Sequence, residues 1–210
     1  MNSTMARSKR INFLAELCQG YHKVIDIGTD HGLVIKKAFE KGYIEEAIAS
    51  DLREQPLKSA MKNLRDYPVT YVLSDGFLSI KEEVDLAIIA GMGAYLICDI
   101  LDHAPLNDMH YLIQANDKIE VVRTYLMDHD FEIIDEHIVF DQFFYIIIHA
   151  KRGNMILSEE DIYLGPYLKH KEDSILYFQQ KVKHIEKIMK KADKDRQEEL
   201  LKMLKIYENL

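Results

Sequence analysis

The chain has 210 residues, with 27 basic and 35 acidic side chains and a formal net charge of −8; 48% of its residues are hydrophobic and 30% charged. That balance excludes a disordered or fibrous chain, and a chain of this length buries roughly 70% of the surface it exposes when unfolded, enough for a real core. Cys18 and Cys98 are too few for a disulfide framework and both lie in apolar segments, which points to a reduced, cytoplasmic protein. Residues 1–10 carry charge and no apolar signal core. The longest uncharged run, residues 86–98, has 13 residues, where a membrane-spanning helix needs about 20.

Charge is unevenly spread. Residues 165–210 hold eleven Lys and Arg against eight Asp and Glu, whereas residues 1–164 hold sixteen against 27. A net-basic tail on an acidic body predicts two structural units, which we place at 1–153 and 154–210.

Residues 9–17 predict a helix with Ile11, Leu14 and Leu17 on one face. A short buried strand follows at 24–27 and runs into Gly28-Thr29-Asp30-His31-Gly32, then a helix at 33–41. A second strand at 47–50 ends on Asp51, and Pro56 suits the first turn of a helix reaching about residue 65. A third strand at 69–73 ends in Ser74-Asp75-Gly76. A fourth at 86–90 ends in Gly91-Met92-Gly93, with a helix to residue 101. A fifth covers 111–114, with its helix at 118–127. Residues 132–139 and 143–149 are rich in Ile, Val, Phe and Tyr and only three residues apart. That separation allows a hairpin and forbids a parallel crossover. Strand–helix alternation predicts a parallel α/β sheet with helices on both faces. Five parallel strands closed by an antiparallel hairpin match the class I Rossmann-like methyltransferase sheet of seven strands, the last antiparallel.

The pattern changes after Gly153. Leu168, Ile175, Val182 and Met189 recur every seven residues, with Phe178, Ile185 and Ala192 between them, predicting a long helix with a coiled-coil seam. Asp193 or Asp195 caps a second helix bearing Leu200, Leu204 and Tyr207. Together they predict a C-terminal antiparallel helical hairpin.

Ligands of open α/β sheets bind beyond the carboxyl ends of the strands, and four strand ends here carry polar or glycine-rich clusters. Asp26-Ile27-Gly28-Thr29-Asp30 lacks the dinucleotide fingerprint G-x-G-x-x-G, which counts against a dehydrogenase, and sets acids where a pyrophosphate would go. The ligand should be neutral or cationic, and S-adenosylmethionine fits. Asp51, with Leu52 beside it, can hold ribose hydroxyls, and Asp75-Gly76 can reach the adenine amino group. Ala90-Gly91-Met92-Gly93 makes a narrow, backbone-lined opening beside the methyl donor. Gln114 and Asn116 offer two amides at the same rim, able to read a base edge. Taken singly, each acid is also an ordinary turn or helix cap; three at successive strand ends favour the cofactor. No metal is expected.

Asp26-Ile-Gly-Thr-Asp-His31, Ile89-Ala-Gly-Met-Gly93, Gln114-Ala-Asn116 and Leu164-Gly-Pro-Tyr-Leu168 resemble the bacterial tRNA (adenine-22-N1)-methyltransferase family over nearly the whole chain. The resemblance implies an S-adenosylmethionine-dependent enzyme acting on N1 of adenosine 22, with a C-terminal coiled-coil element that helps hold tRNA. Two positions depart from the family: Ala94 stands where it has Gly, and Ala115 where it has Pro. Neither change removes a functional group. On this reading Asp30 is the catalytic acid that stabilises the cationic product, and His31 is the alternative proton handler. N1 lies on the pairing edge, so the base must leave its partner; Tyr95, Phe77 and Tyr145 are candidate stacking partners. The candidate phosphate ligands are Arg7, Lys9 and Arg10, with Lys169, Lys171, Lys181, Lys183, Lys187, Lys190 and Lys191 on the hairpin. The partner is tRNA, with no membrane, and the chain is expected to act as a monomer. The competing readings are a methyltransferase of another RNA or of a small molecule, and a non-catalytic interaction module built on the heptad seam.

Overall fold

The computed structural model describes the backbone of residues 2–208 and the side chains of residues 9–208. The chain divides into two compact units, 1–155 and 156–210.

The first unit is built from β1 (Lys23–Ile27), β2 (Glu46–Asp51), β3 (Val69–Leu73), β4 (Leu86–Met92), β5 (His110–Ala115), β6 (Phe131–Asp141) and β7 (Phe143–Arg152). Between and before them run α1 (Asn2–Glu16), α2 (Leu33–Glu40), α3 (Glu54–Asn63), α4 (Ala94–Leu101) and α5 (Ile119–Asp128). The strands form one sheet in the order β3-β2-β1-β4-β5-β7-β6. β1 pairs in parallel with β2 and β4, and β7 pairs antiparallel with both β5 and β6. Only Gln142 separates β6 from β7, and it takes φ +65° to close the turn. The central strands are almost wholly buried, as parallel strands covered on both faces must be: Val24, Ile25, Ile48, Leu86, Ile88 and Leu112 are all within 1% of full burial. Leu14 and Cys18 from the first helix and its following turn pack there with Ile35 and Ala38 of α2 and with Ala60 and Leu64 of the α3 segment. Burial pushes the Cys18 thiol up to about 12 and the Cys98 thiol up to about 11, which leaves both protonated and unreactive.

Two differences from the expected elements have physical causes. α1 begins at Asn2 rather than near residue 9; its apolar stripe starts only at Ile11, so periodicity cannot see the polar first turns. β4 continues to Met92 because a bulge at Gly91, φ +82°, shifts register against β5 and lets the pairing resume; only glycine adopts that backbone without strain.

A polar cluster ties the turn after α1 to the sheet. The Tyr21 hydroxyl lies 2.7 Å from His110 Nδ1 and 2.9 Å from His149 Nε2, and the two ring nitrogens are 3.1 Å apart. Burial, then the neighbouring His110 and His137, drives His149 down to about 4, against the opposing pull of Asp135. Burial lowers His110 as well.

The second unit comprises α6 (Glu159–Leu164), two short 3-10 turns at Leu168–His170 and Glu172–Ser174, α7 (Ile175–Met189) and α8 (Lys194–Glu208). Ser158 and Asp161 close a capping box on α6. Asp193, not Asp195, caps α8, accepting the Arg196 N–H at 2.9 Å. α7 and α8 pack against each other, with Phe178 and Tyr207 ring centroids 6.0 Å apart, and Leu200, Leu204 and Tyr207 are buried as their spacing predicts. The heptad seam is corrected. Leu168 lies in a 3-10 turn before the helix and Ile175 is 53% exposed. Tyr177, Phe178 and Ile185 are the buried positions of α7. The two 3-10 turns delay the helix to Ile175, and over its 15 residues a 3.6-residue period serves where a 3.5-residue seam needs more length.

Candidate active site

The polar strand ends meet at one rim of the sheet. Asp26, on β1, is 7% exposed and accepts the Thr29 hydroxyl at 2.6 Å. Burial pushes Asp26 up to about 6; the Thr29 bond opposes that rise, the charge of Asp51 adds to it, and Arg10 opposes it. Gly28 turns the chain at φ +75°, and the N–H groups of Gly28 and Thr29 both donate to the Ser50 carbonyl, at 2.8 and 2.9 Å. A Cβ on Gly28 would stand 2.0 Å from Met92 Cε, so the first turn and the Gly91-Met92-Gly93 turn face each other directly. Asp51 closes β2, 6% exposed. Its Oδ1 accepts the Arg53 N–H at 2.8 Å, with Arg53 Nε 3.6 Å away, and Oδ2 has no hydrogen-bond partner among the described residues.

Other predicted site residues are placed less deeply. Leu52 is 64% exposed beside Asp51. Asp75 is exposed after β3; Gly76 is buried at φ +53°, where a Cβ would meet Ile100 at 3.3 Å. Asp30 and His31 are exposed and paired, Nε2 to Oδ2 at 3.6 Å. Gly93 precedes α4, whose Ala94 N–H is taken by Asp117 Oδ1 at 3.0 Å.

The two amides bond to the protein's own groups, Gln114 in the interior and Asn116 at the exposed rim. Gln114 is fully buried; its Oε1 accepts from Arg10 Nη1 at 2.6 Å, and its Nε2 donates to the Ala115 carbonyl at 2.8 Å and to Asn116 Oδ1 at 3.2 Å. Asn116 Nδ2 donates to the Gly91 carbonyl at 2.7 Å, and its backbone N–H donates to the Met92 carbonyl at 2.8 Å. Asn116 therefore braces the glycine turn of β4, and Gln114 holds Asn116, with amide groups that the sequence pattern assigns to a base edge.

Three of the basic candidates have partners within the protein. Arg10 is no surface cation: its guanidinium lies 5.0 Å above the Tyr145 ring and bonds Gln114, while its backbone N–H donates to Asp141 Oδ2 at 3.1 Å. Lys169 is held by Glu160 at 2.7 Å and Asp161 at 2.9 Å, which neutralise it. Lys181 Nζ lies 5.5 Å from the centre of the Tyr177 ring. Lys9, Lys183, Lys187 and Lys190 are exposed or half-exposed, and the last three recur at the four- and three-residue spacing of one helix face. Arg7 lies outside the described side chains. Of the aromatic candidates, Phe77 is core, edge-on to Tyr111 with centroids 6.3 Å apart. Tyr95 is 60% exposed under Lys118 Nζ at 4.7 Å, and Tyr145 is half-buried beneath Arg10. Sequence reasoning missed Thr29, Asp117 and the site role of Arg10. Thr29 stood inside a motif already singled out; the partners of Arg10 lie more than 100 residues away and leave no local signal.

A seven-stranded sheet in this order, with acids at the ends of three adjacent strands and glycine turns between them, defines a class I methyltransferase. A family model described as tRNA (adenine(22)-N(1))-methyltransferase matches residues 24–208, and the chain belongs to that family. A Bacillus subtilis tRNA (adenine(22)-N(1))-methyltransferase is 27% identical over 218 residues, taking in 94% of this chain and 92% of the relative. A candidate tRNA (m1A22) methyltransferase from Streptococcus pneumoniae superposes with a TM-score of 0.87 at 27% identity, covering 96% of this chain and 97% of that one. Its crystal structure in complex with S-adenosyl-L-methionine superposes with a TM-score of 0.84 at 27% identity, covering 95% and 97%.

Proposed function

We propose a division of labour for the residues of this enzyme, a methyltransferase that moves a methyl group from S-adenosylmethionine to N1 of adenosine 22 in tRNA. One observation carries it: Asp26, Asp51 and the facing turns at Gly28 and Gly91–Met92 gather at the carboxyl ends of neighbouring strands. The chemistry of this set fits the cofactor. Two buried carboxylates reject a pyrophosphate and accept a ligand with a cationic amino group and ribose hydroxyls.

Asp51 Oδ2 accepts the ribose hydroxyls, and Asp26 faces the cationic amino-acid portion. Asp75 and Gly76 meet the adenine edge, and Leu52 offers it an apolar side. Gly28, Asp30 and the 90–93 turn line the methyl-bearing centre. When bound, the cofactor supplies an electrophilic methyl group on a sulfonium. Adenine N1 already carries a lone pair, so the protein need not remove a proton before attack. Its main task is to hold N1 about 3 Å from the methyl carbon in line with the breaking bond. Methylation leaves the base cationic, and the Asp30 carboxylate stabilises that charge; His31 beside it is the alternative group, for the route in which the base instead loses its N6 proton. Asn116 and Gln114 shape the wall against which the base is placed. Lys183, Lys187 and Lys190, with Lys9, bind tRNA phosphates. The enzyme works as a monomer in the cytoplasm, a placement supported by its two free buried thiols.

The test is single-turnover methylation of unmodified tRNA with saturating cofactor, followed by mapping of the modified nucleotide. Asp30→Asn keeps shape and loses charge. Its rate should fall about 10²–10³-fold, with cofactor and tRNA affinities little changed. Weaker cofactor binding at an unchanged rate would make Asp30 a cofactor ligand, and no change in either would make it a helix cap.

A further inference from the structure

The sequence offers Arg10 as one of several cations for phosphate. The structure instead puts it at the head of a chain of hydrogen bonds that ends on the methyl-transfer site. We propose that Arg10 is a positioning residue, which fixes the backbone of the Gly91–Met92 turn through Gln114 and Asn116 and binds no phosphate. This rests on the assignment of that turn to the cofactor site.

Donor chemistry fixes the orientation of each amide. A guanidinium has five N–H donors and no acceptor. Arg10 Nη1, 2.6 Å from Gln114 Oε1, can therefore only meet the oxygen of that amide. With Oε1 turned to Arg10, the Gln114 amide must present its NH2 group on the other side, where it donates to Asn116 Oδ1 at 3.2 Å. Asn116 then has only its own NH2 left to face the glycine turn, and it donates to the Gly91 carbonyl at 2.7 Å. Each link sets the orientation of the next, so one cation on α1 decides the polarity of the whole relay. Gln114 is completely buried, and without Arg10 its Oε1 would be an orphaned acceptor or the amide would flip. An orphaned Oε1 leaves a buried acceptor unsatisfied, whereas a flip sets Oε1 against Asn116 Oδ1, which breaks the Asn116 link and loosens the hold on the Gly91 carbonyl.

Arg10 is itself held rigidly. Its backbone N–H donates to Asp141 Oδ2 at 3.1 Å, and its guanidinium lies 5.0 Å from the Tyr145 ring centroid. A Cβ on Gly91 would lie 3.4 Å from Nη1, so the guanidinium sits beside the turn, where a side chain at that position would meet it. At the far end, Met92 Cε occupies the space where a Cβ on Gly28 would be, 2.0 Å away. A change in the Gly91–Met92 backbone is therefore felt at the first cofactor turn. A flexible surface cation would show none of this confinement.

A phosphate ligand and a positioning residue differ in one decisive respect: only the second can alter cofactor binding when no RNA is present. The experiment is calorimetric titration of S-adenosylmethionine into the full chain, wild type and Arg10→Ala, without tRNA, after melting curves show each protein folded. We expect affinity to fall about tenfold. The loss should largely vanish when Arg10→Ala is made in a Gln114→Leu background, because two residues acting through one relay are non-additive. Arg10→Lys keeps the charge but loses the planar fork over Tyr145, so it should show a smaller loss and carries the test if Arg10→Ala does not fold. Unchanged cofactor affinity in the folded variant overturns the proposal. So does an additive double variant, or a decrease of about 0.7–0.9 in the salt slope of tRNA binding, the mark of one phosphate left without its cation. If the wild type binds cofactor but methylates no tRNA, the reading of the reaction fails, while these titrations still decide the role of Arg10.

Discussion

Asp51 offers the sharpest test of the cofactor assignment. Its carboxylate is 6% exposed; Oδ1 is occupied by the Arg53 N–H at 2.8 Å, which leaves Oδ2 for the ligand. A hydrogen bond to a charged group contributes about 1.5–3 kcal/mol. Asp51→Ala should therefore weaken binding of S-adenosylmethionine about 10- to 150-fold. Removing the charge also lets the neighbouring Asp26 ionise more readily, since Asp51 helps to raise it. With Asp26 at about 6, that compensation is small above pH 7. Asp51→Asn keeps the shape, the bond to Arg53 and one neutral acceptor, and should lose only about 1 kcal/mol, roughly fivefold. The assay is calorimetric titration with S-adenosylmethionine and with its demethylated product, which share the ribose and should lose affinity equally. Affinity within about twofold of wild type for a folded Asp51→Ala would refute the assignment. A loss confined to the methylated cofactor would place Asp51 against the sulfonium instead of the ribose.

Asp26, pushed up to about 6 chiefly by burial, must be ionised to attract a cationic amino group. Cofactor affinity should thus decline by up to about tenfold per unit as pH drops below 6, a decline that calorimetry across pH 5–8 will detect and that Asp26→Asn should abolish. His149 is held neutral at about 4, below its usual 6.5. The unfolded chain therefore binds the extra proton first, and stability is complete above pH 6.5 and falls as pH is lowered toward 4; His149→Gln should flatten the melting temperature over that window, and an unflattened curve would place the titration elsewhere. Reversing Lys183, Lys187 and Lys190 to Glu should weaken tRNA binding and reduce its salt slope by about 0.7–0.9 for each phosphate no longer neutralised, with cofactor affinity unchanged; an unaltered slope would remove that helix face from the RNA interface.

The parallel sheet was legible in the chain because its central strands are buried on both faces and read as short apolar runs rich in Val, Ile, Leu and Ala, most of them ended by glycine or acid. The hairpin of β6 and β7 was legible for a different reason: a three-residue gap admits no crossover. Asp26, Gly28, Asp51 and the 90–93 turn could be singled out because a ligand in an open α/β sheet sits where strands end, so position along the strand already carries position in the site. The start of α7 was not legible, since the apolar stripe at sevenfold spacing begins at Leu168 and runs through two 3-10 turns that precede the helix it suggests.

What only the tertiary structure decided is the use to which individual polar residues are put. Sequence determined that Arg10, Gln114, Asn116 and Lys169 carry a charge or an amide; it could not determine what each would face. Lys169 meets Glu160 and Asp161 within its own unit and is neutralised. Arg10 meets Gln114, Tyr145 and Asp141, partners more than 100 residues away, and becomes part of the site instead of a surface cation. Secondary structure is set by periodicities a few residues long, which a single chain displays openly. The hydrogen-bond partner of a buried donor is set by whichever acceptor the folded sheet brings within about 3 Å, and that proximity exists only once the chain has closed.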